Sequence, residues 1–106
     1  MDEDEPLYGM AVAARLTRMH PQTLRKYERA GLLRPARRGN QRLYSSADVQ
    51  RLRRIRYLVE DRGLNVAGLE MTLAIVDRLD AIGPGAAAAE MRAVVTEVVA
   101  LTDEWP

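Results

Sequence analysis

The chain has no cysteine, and that one absence removes disulfides, thiolate metal sites and cysteine nucleophiles together. Histidine occurs once, as His20, with no second ligand type beside it, so no metal site is expected. No stretch of 18 apolar residues is present and no charged-then-apolar leader opens the chain, so membrane-spanning and secretory readings drop out. A Ser/His/Asp order, a glycine-rich phosphate loop and a pocket-forming group of acids are missing too. The expectation is a cytoplasmic protein that is not an enzyme and takes no cofactor. Nothing after the last helical pattern has the length of a sensor domain, so effector sensing is not expected either.

What is present is a chain of 106 residues, 47% of them apolar, enough for one small domain with an appendage. Its net charge of +1 hides a split. Residues 6–62 hold fourteen Lys/Arg against four acids, a net of +10, whereas residues 63–106 carry −5 and the first five residues −4. Such asymmetry suggests a half that binds a polyanion joined to a half with another task.

The stretch His20 to Tyr44 organises the rest. Pro21 suits a first helical position, where its missing N–H is an orphan anyway. Gly31 suits the position just past a helix end, where glycine enters the left-handed region cheaply. Between them lies a helix of barely three turns with Gln22, Thr23, Arg25, Lys26 and Arg29 on it, and Leu24 and Tyr27 left for a core. Too short to stand alone, it reads either as a basic helix for a DNA major groove or as a solvated surface helix. His20 is the expected N-cap, an imperfect substitute for Ser, Thr or Asp.

From Tyr8, the residues Met10, Val12, Ala13 and Leu16 have helical spacing, and this helix ends around Thr17–Met19, giving a helix-turn-helix with the next. Two short extended runs around Gly39-Asn40 predict a β-hairpin whose tip carries Arg37, Arg38 and Arg42, the form of a phosphate-gripping wing. Ser45 with Asp48 three residues on predicts a capped helix that buries Val49, Leu52, Ile55, Leu58 and Val59 and stops at Gly63. Its Arg51, Arg53, Arg54 and Arg56 are either a solvated face or, for Arg53 and Arg54, contacts to DNA backbone. Asn65 caps a helix with Val66, Leu69, Leu73, Val76 and Leu79 inward, and Gly83-Pro84-Gly85 breaks the chain. Beyond it, Met91, Val94, Val98, Leu101 and Trp105 are spaced 3, 4, 3, 4. That is a seam for pairing two chains through a coiled coil, the alternative being a helix folded back on its own domain.

The expected fold is therefore mainly α. Residues 1–7 form a disordered acidic N-terminus, 8–82 a winged helix-turn-helix with a short β-hairpin wing, and 86–105 a C-terminal dimerisation helix.

These residues resemble the MerR family of winged-helix transcription regulators, and within it the heat-shock repressor branch, HspR. The resemblance is carried by Tyr8-Gly9-Met10-Ala11-Val12-Ala13-Ala14, Met19-His20-Pro21-Gln22-Thr23-Leu24-Arg25, Tyr27-Glu28-Arg29 and Gly31-Leu32-Leu33-Arg34-Pro35-Ala36-Arg37. It continues through Gln41-Arg42, Tyr44-Ser45, Asp48, Arg51-Leu52-Arg53-Arg54-Ile55 and Gly63-Leu64-Asn65, covering about residues 8 to 80. It implies a bacterial, nucleoid-associated homodimer on an inverted-repeat operator in double-stranded DNA, repression of chaperone genes, and a DnaK-type chaperone as co-repressor. On that reading Gln22, Thr23 and Arg25 read base edges. Lys26, Tyr27, Arg37, Arg38, Arg42 and Tyr44 hold phosphates, with Arg53 and Arg54 flanking; Tyr27 is open between core and phosphate. The alternative is a MerR-like adaptor that binds a chaperone and no DNA. Three departures from the family pattern stand out: Arg18 where glycine is usual, Lys26 for an aromatic, and a wing tip about one residue short.

Overall fold

The nine residues Pro21–Arg29 form a helix, α2, because both of its ends are closed. At the start, His20 is extended and its Nδ1 accepts the Gln22 N–H at 3.0 Å, with Pro21 in the first turn. At the other end Gly31 is left-handed, with φ 77. Its N–H donates to Glu28 O at 2.9 Å and the Leu32 N–H to Tyr27 O at 3.0 Å, a Schellman pair that uses up two orphan carbonyls. Leu24 and Tyr27 are buried beneath it.

The computed structural model describes residues 2–99 and Pro106, without the side chains of 88 and 95–99. Around α2 the order is β1 (Tyr8–Gly9), α1 (Met10–Thr17), α2, β2 (Ala36–Arg38), β3 (Gln41–Tyr44), α3 (Ser46–Glu60), α4 (Val66–Ile82) and α5 (Ala86–Val99). This is a winged helix-turn-helix extended by two helices.

The wing is a three-stranded antiparallel sheet in the order β1-β3-β2, where a two-stranded hairpin was expected. Tyr8 and Gly9 pair with Tyr44 and Leu43, so they are strand rather than helix. The reason lies in β3: its second edge carries free backbone groups, and the Tyr8–Gly9 backbone satisfies them. Gly39, with φ 60, stands first in the two-residue turn between β2 and β3, the place where such hairpins need a positive φ.

Helix α1 begins at Met10, and its inner face differs from the expected one. Ala13, Ala14 and Thr17 are buried against α3, while Val12 and Leu16 remain 37% and 41% exposed. Small residues on the contact side let the two helix backbones approach, and this turns the bulkier pair outward. The Thr17 hydroxyl, lacking water, donates to Ala13 O at 2.8 Å. The helix ends on Arg18 in the left-handed region, φ 55 and ψ 39, the one described residue other than glycine with positive φ.

The capping box predicted for α3 is complete: Asp48 N–H donates to Ser45 Oγ at 3.0 Å and Ser45 N–H to Asp48 Oδ2 at 2.9 Å. Its third donor, the Ala47 N–H, reaches the Glu3 carbonyl at 2.9 Å, and the Leu7 N–H reaches Tyr44 O at 3.1 Å. These bonds correct the expectation of disorder over residues 1–7: residues 2–7 are seated where an orphan helix donor and a strand edge needed partners. Ile55, Leu58, Leu69 and Leu73 join α3 and α4 in one core with Leu24, Tyr27 and Leu52. Asn65 caps α4 by accepting the Gly68 N–H at 2.9 Å. At the far end of α4, Arg92 of α5 donates to Leu79 O at 2.9 Å and Gly83 O at 3.3 Å, which ties the last two helices together. No described helix is long and apolar enough to cross a membrane.

Arg18→Gly is expected to stabilise the domain by about 0.5 kcal/mol. Glycine removes a left-handed penalty of about 1–2 kcal/mol and returns about 0.5–1 kcal/mol through the freer unfolded chain. A thermal melt is the check, and an unchanged or lowered midpoint would show that Arg18 carries no strain.

Candidate nucleic-acid interface

With Leu24 and Tyr27 facing the core, the helical period turns Gln22, Arg25, Lys26 and Arg29 outward. Gln22, Lys26 and Arg29 are exposed, and Thr23 and Arg25 are half-buried. The Lys26 ammonium lies 5.8 Å from the centre of the Tyr27 ring, within cation–π reach. Arg25 lines a cleft of about 350 Å³ together with Gly9 and Met10 at the start of α1 and Asn40, Gln41 and Arg42 of the wing. Recognition helix and wing therefore bound one groove. Among the described residues Arg25 and Arg38 make no ion pair.

The wing's cations divide by strand parity. Arg37 pairs directly with Arg42 across the ladder, so both side chains lie on one face. Arg38 pairs with Gln41 on the opposite face and is exposed. Two like charges facing each other across strands repel, and here a carboxylate relieves them. Glu28 of α2 accepts from Arg37 Nη2 at 3.0 Å through one oxygen and from Arg42 Nε through the other. Arg37 and Arg42, expected at phosphates, are thus first bound to an acid of their own chain. Each uses one of five guanidinium donors in that bond, and the remainder are left for a ligand.

Tyr44 is a correction. Expected at a phosphate, it has no exposed surface and shares the inward sheet face with Arg42. Among the described residues its hydroxyl has no hydrogen-bond partner. Burial, then the Glu28 carboxylate, pushes that hydroxyl above the ordinary tyrosine range. Of the two places open to Tyr27, the side chain takes the core; burial and, secondly, Glu60 raise its hydroxyl too.

The arginines of α3 are occupied within the protein. Arg53 Nη2 reaches Leu16 O at 3.4 Å, and Arg54 pairs with Asp80 of α4 at 3.8 Å and donates to Pro106 O at 3.1 Å. Arg56 donates to Thr17 O at 3.2 Å and pairs with Glu60 at 3.0 Å. Arg53 and Arg54, expected to flank the DNA, are brought instead to the end of α1 and to α4. Helix ends and acids packed against α3 take up donors of these cations, although Arg53 remains exposed. Arg51 joins three elements: it donates to Leu32 O just after α2 and, with both terminal nitrogens, to Asp77 of α4 at 2.8 and 3.1 Å. Neither the Glu28 clamp nor the Arg51 tie was foreseen from sequence. For Glu28 a signal existed, a single acid on an otherwise cationic short helix; for Arg51 there was none.

On α5, Met91 and Val94 are exposed. The Val98 side chain, Leu101 and Trp105, the rest of the expected seam, lie outside the described residues.

A short cationic helix held beside a basic hairpin is the working surface of a winged helix-turn-helix regulator. The family model for the MerR helix-turn-helix regulatory proteins matches residues 8–74, and the chain belongs to that family. It is 38% identical over 97% of its length to a Streptomyces coelicolor protein described as a heat shock protein, HspR, of which it covers 63%. It is 39% identical over 69% of its length to the transcriptional regulator GlnR of Bacillus anthracis, covering 59% of that protein, and 39% identical over 64% to MlrA of Escherichia coli, covering 28%. The chain thus spans about three-fifths, or less, of the relatives it matches. GlnR and MlrA are helix-turn-helix transcriptional regulators by name.

Tyr44→Phe is expected to stabilise the fold by about 1 kcal/mol at neutral pH, since it removes a buried hydroxyl that has no partner. Both tyrosines hold their protons more tightly in the folded chain. Stability is therefore full below the ordinary tyrosine value of 10.0 and falls as pH rises above it; Tyr44→Phe should flatten that fall. Denaturant melts across alkaline pH measure both effects. A loss of DNA affinity with stability unchanged would return the hydroxyl to a phosphate.

Proposed function

We propose that the chain is a transcriptional repressor that binds an inverted repeat in double-stranded DNA as a homodimer and controls heat-shock or chaperone genes in the bacterial cytoplasm. The observation that carries the DNA reading is the groove between Arg25 of α2 and Asn40–Arg42 of the wing, with Lys26 of the same helix and Arg38 of the same hairpin exposed. An α-helix fits the major groove, and a hairpin beside it falls on the adjoining backbone. Gln22, Thr23 and Arg25 then read bases, and Lys26, Arg38 and the spare donors of Arg37 and Arg42 hold phosphates.

Repression of heat-shock genes, and a DnaK-type chaperone as co-repressor, come from the likeness to HspR, which extends across nearly the whole chain. The adaptor alternative gives no reason for unpaired cations on both recognition helix and wing. Gel shifts with the gene's own upstream region, with and without competitor DNA, test the reading; no shift at low salt would favour the adaptor.

Two copies are required on physical grounds. One three-turn helix and one wing make few contacts, while a chromosome offers very many competing sites. A two-fold dimer doubles the contacts and sets their spacing. Met91 and Val94 on α5 offer the apolar surface for it.

Arg25→Ala should weaken operator binding by about 1–3 kcal/mol if it reads a guanine; equal loss on operator and random duplex would reduce it to a backbone contact. Met91→Asp should shift the chain toward monomer in sedimentation and lower operator affinity with it, because pairing would bury an unmatched charge. A wild-type monomer with full operator affinity would sink the dimer.

A further inference from the structure

Glu28 is the one acid among the charged residues of α2, beside Arg25, Lys26 and Arg29. On a helix that meets a polyanion a carboxylate is a handicap, because it repels phosphate. Simple electrostatics therefore expects its removal to tighten DNA binding. The geometry points the other way. We propose that Glu28 is a positioning residue for DNA binding, a clamp that sets the wing's angle and distance against the recognition helix. The proposal rests on the DNA-binding reading above.

Three observations carry it. Only 17% of the Glu28 side chain is exposed, and each of its oxygens meets a different guanidinium, Arg37 on β2 and Arg42 on β3. One carboxylate thus spans both strands of the hairpin and anchors them to α2. Second, those arginines face each other in the ladder, so without the carboxylate the hairpin keeps two opposed cations and nothing to balance them. Third, β2 is exposed at all three of its residues and has no other strand beyond it. β3 is also held by β1, but the three-residue outer strand β2 is paired on one side only, so its orientation depends on what it is tied to. With the clamp in place, Arg38 and the free donors of Arg37 and Arg42 stand ready for phosphate at a fixed offset from Arg25. Without it the same charges remain, and the cost of ordering them falls on binding.

The test uses the full chain with Glu28→Gln and Glu28→Asp. Affinity for a short mixed-sequence DNA duplex is measured over a range of salt, and amide hydrogen exchange over residues 36–44 is measured in the free protein. For Glu28→Gln the expected result is faster exchange in the wing, an affinity about tenfold lower, and a log–log salt slope shallower by about one for each phosphate the wing no longer engages. Glu28→Asp keeps the charge but is one methylene too short to reach both guanidiniums, and should fall between wild type and Gln. It also serves as the variant if Gln folds poorly, since a role of charge alone would leave Asp equal to wild type. Binding by Glu28→Gln as tight as or tighter than wild type, or a weakened affinity with wing exchange unchanged, overturns the clamp. A wild-type chain that binds no duplex at low salt overturns the DNA-binding reading itself.

Discussion

Everything in this fold serves a nine-residue helix that is unstable on its own. Helices of this length are marginal in water because nucleation costs more than a few hydrogen bonds return. α2 is therefore made by its surroundings: an imidazole closes its first turn, a left-handed glycine closes its last, and Leu24 and Tyr27 pull one side into the core. The opposite side is left to polar and cationic residues whose positions are then set to within a side chain's freedom. Rigidity on the inside is what makes an outward face usable for reading DNA.

The arginines show the same division between holding and reaching. On α3 they go to helix ends and to acids: Arg53 and Arg56 to the last carbonyls of α1, Arg51 to Leu32 and Asp77, Arg54 to Asp80. Partly exposed ion pairs of this kind add little stability one by one, but each fixes an angle between elements. Arg51 in particular joins the exit of the recognition helix to α4, and Arg92 joins α4 to α5. The recognition helix and α5 are thus connected through consecutive ties. Arg25 and Arg38 are free of acids among the described residues, and Arg25 lines the groove.

Much of this architecture was legible in the residues. Pro21, Gly31, Ser45, Asp48, Asn65 and Gly83 mark helix ends by local stereochemistry, and each does so in the structure. Gly39-Asn40 marked the wing, and the spacing of Leu52, Ile55, Leu58, Leu69 and Leu73 marked a core that formed as read. Local signals work here because caps and turns depend on a few neighbouring backbone atoms. What misled was side-chain direction. Val12 and Leu16 have helical spacing but point outward, since α1 meets α3 through its alanines. Tyr44 has a polar tip and a place next to a basic wing, yet the pairing of β1 with β3 puts it on the inward face.

The sequence by itself determined the capped helix ends, the β2–β3 hairpin, the charge split between the two halves and the family to which the motifs belong. These follow from short-range chemistry that every copy of the motif repeats. Tertiary structure alone decided which arginines are tied to acids distant in the chain. Arg37, Arg42, Arg51 and Arg54 look alike along the chain, and an ion pair depends on what packing brings within a few ångströms. Glu28 is nine residues from Arg37 and fourteen from Arg42. Only the folding of the wing back onto α2 makes the three neighbours, and no periodicity in the chain encodes that approach.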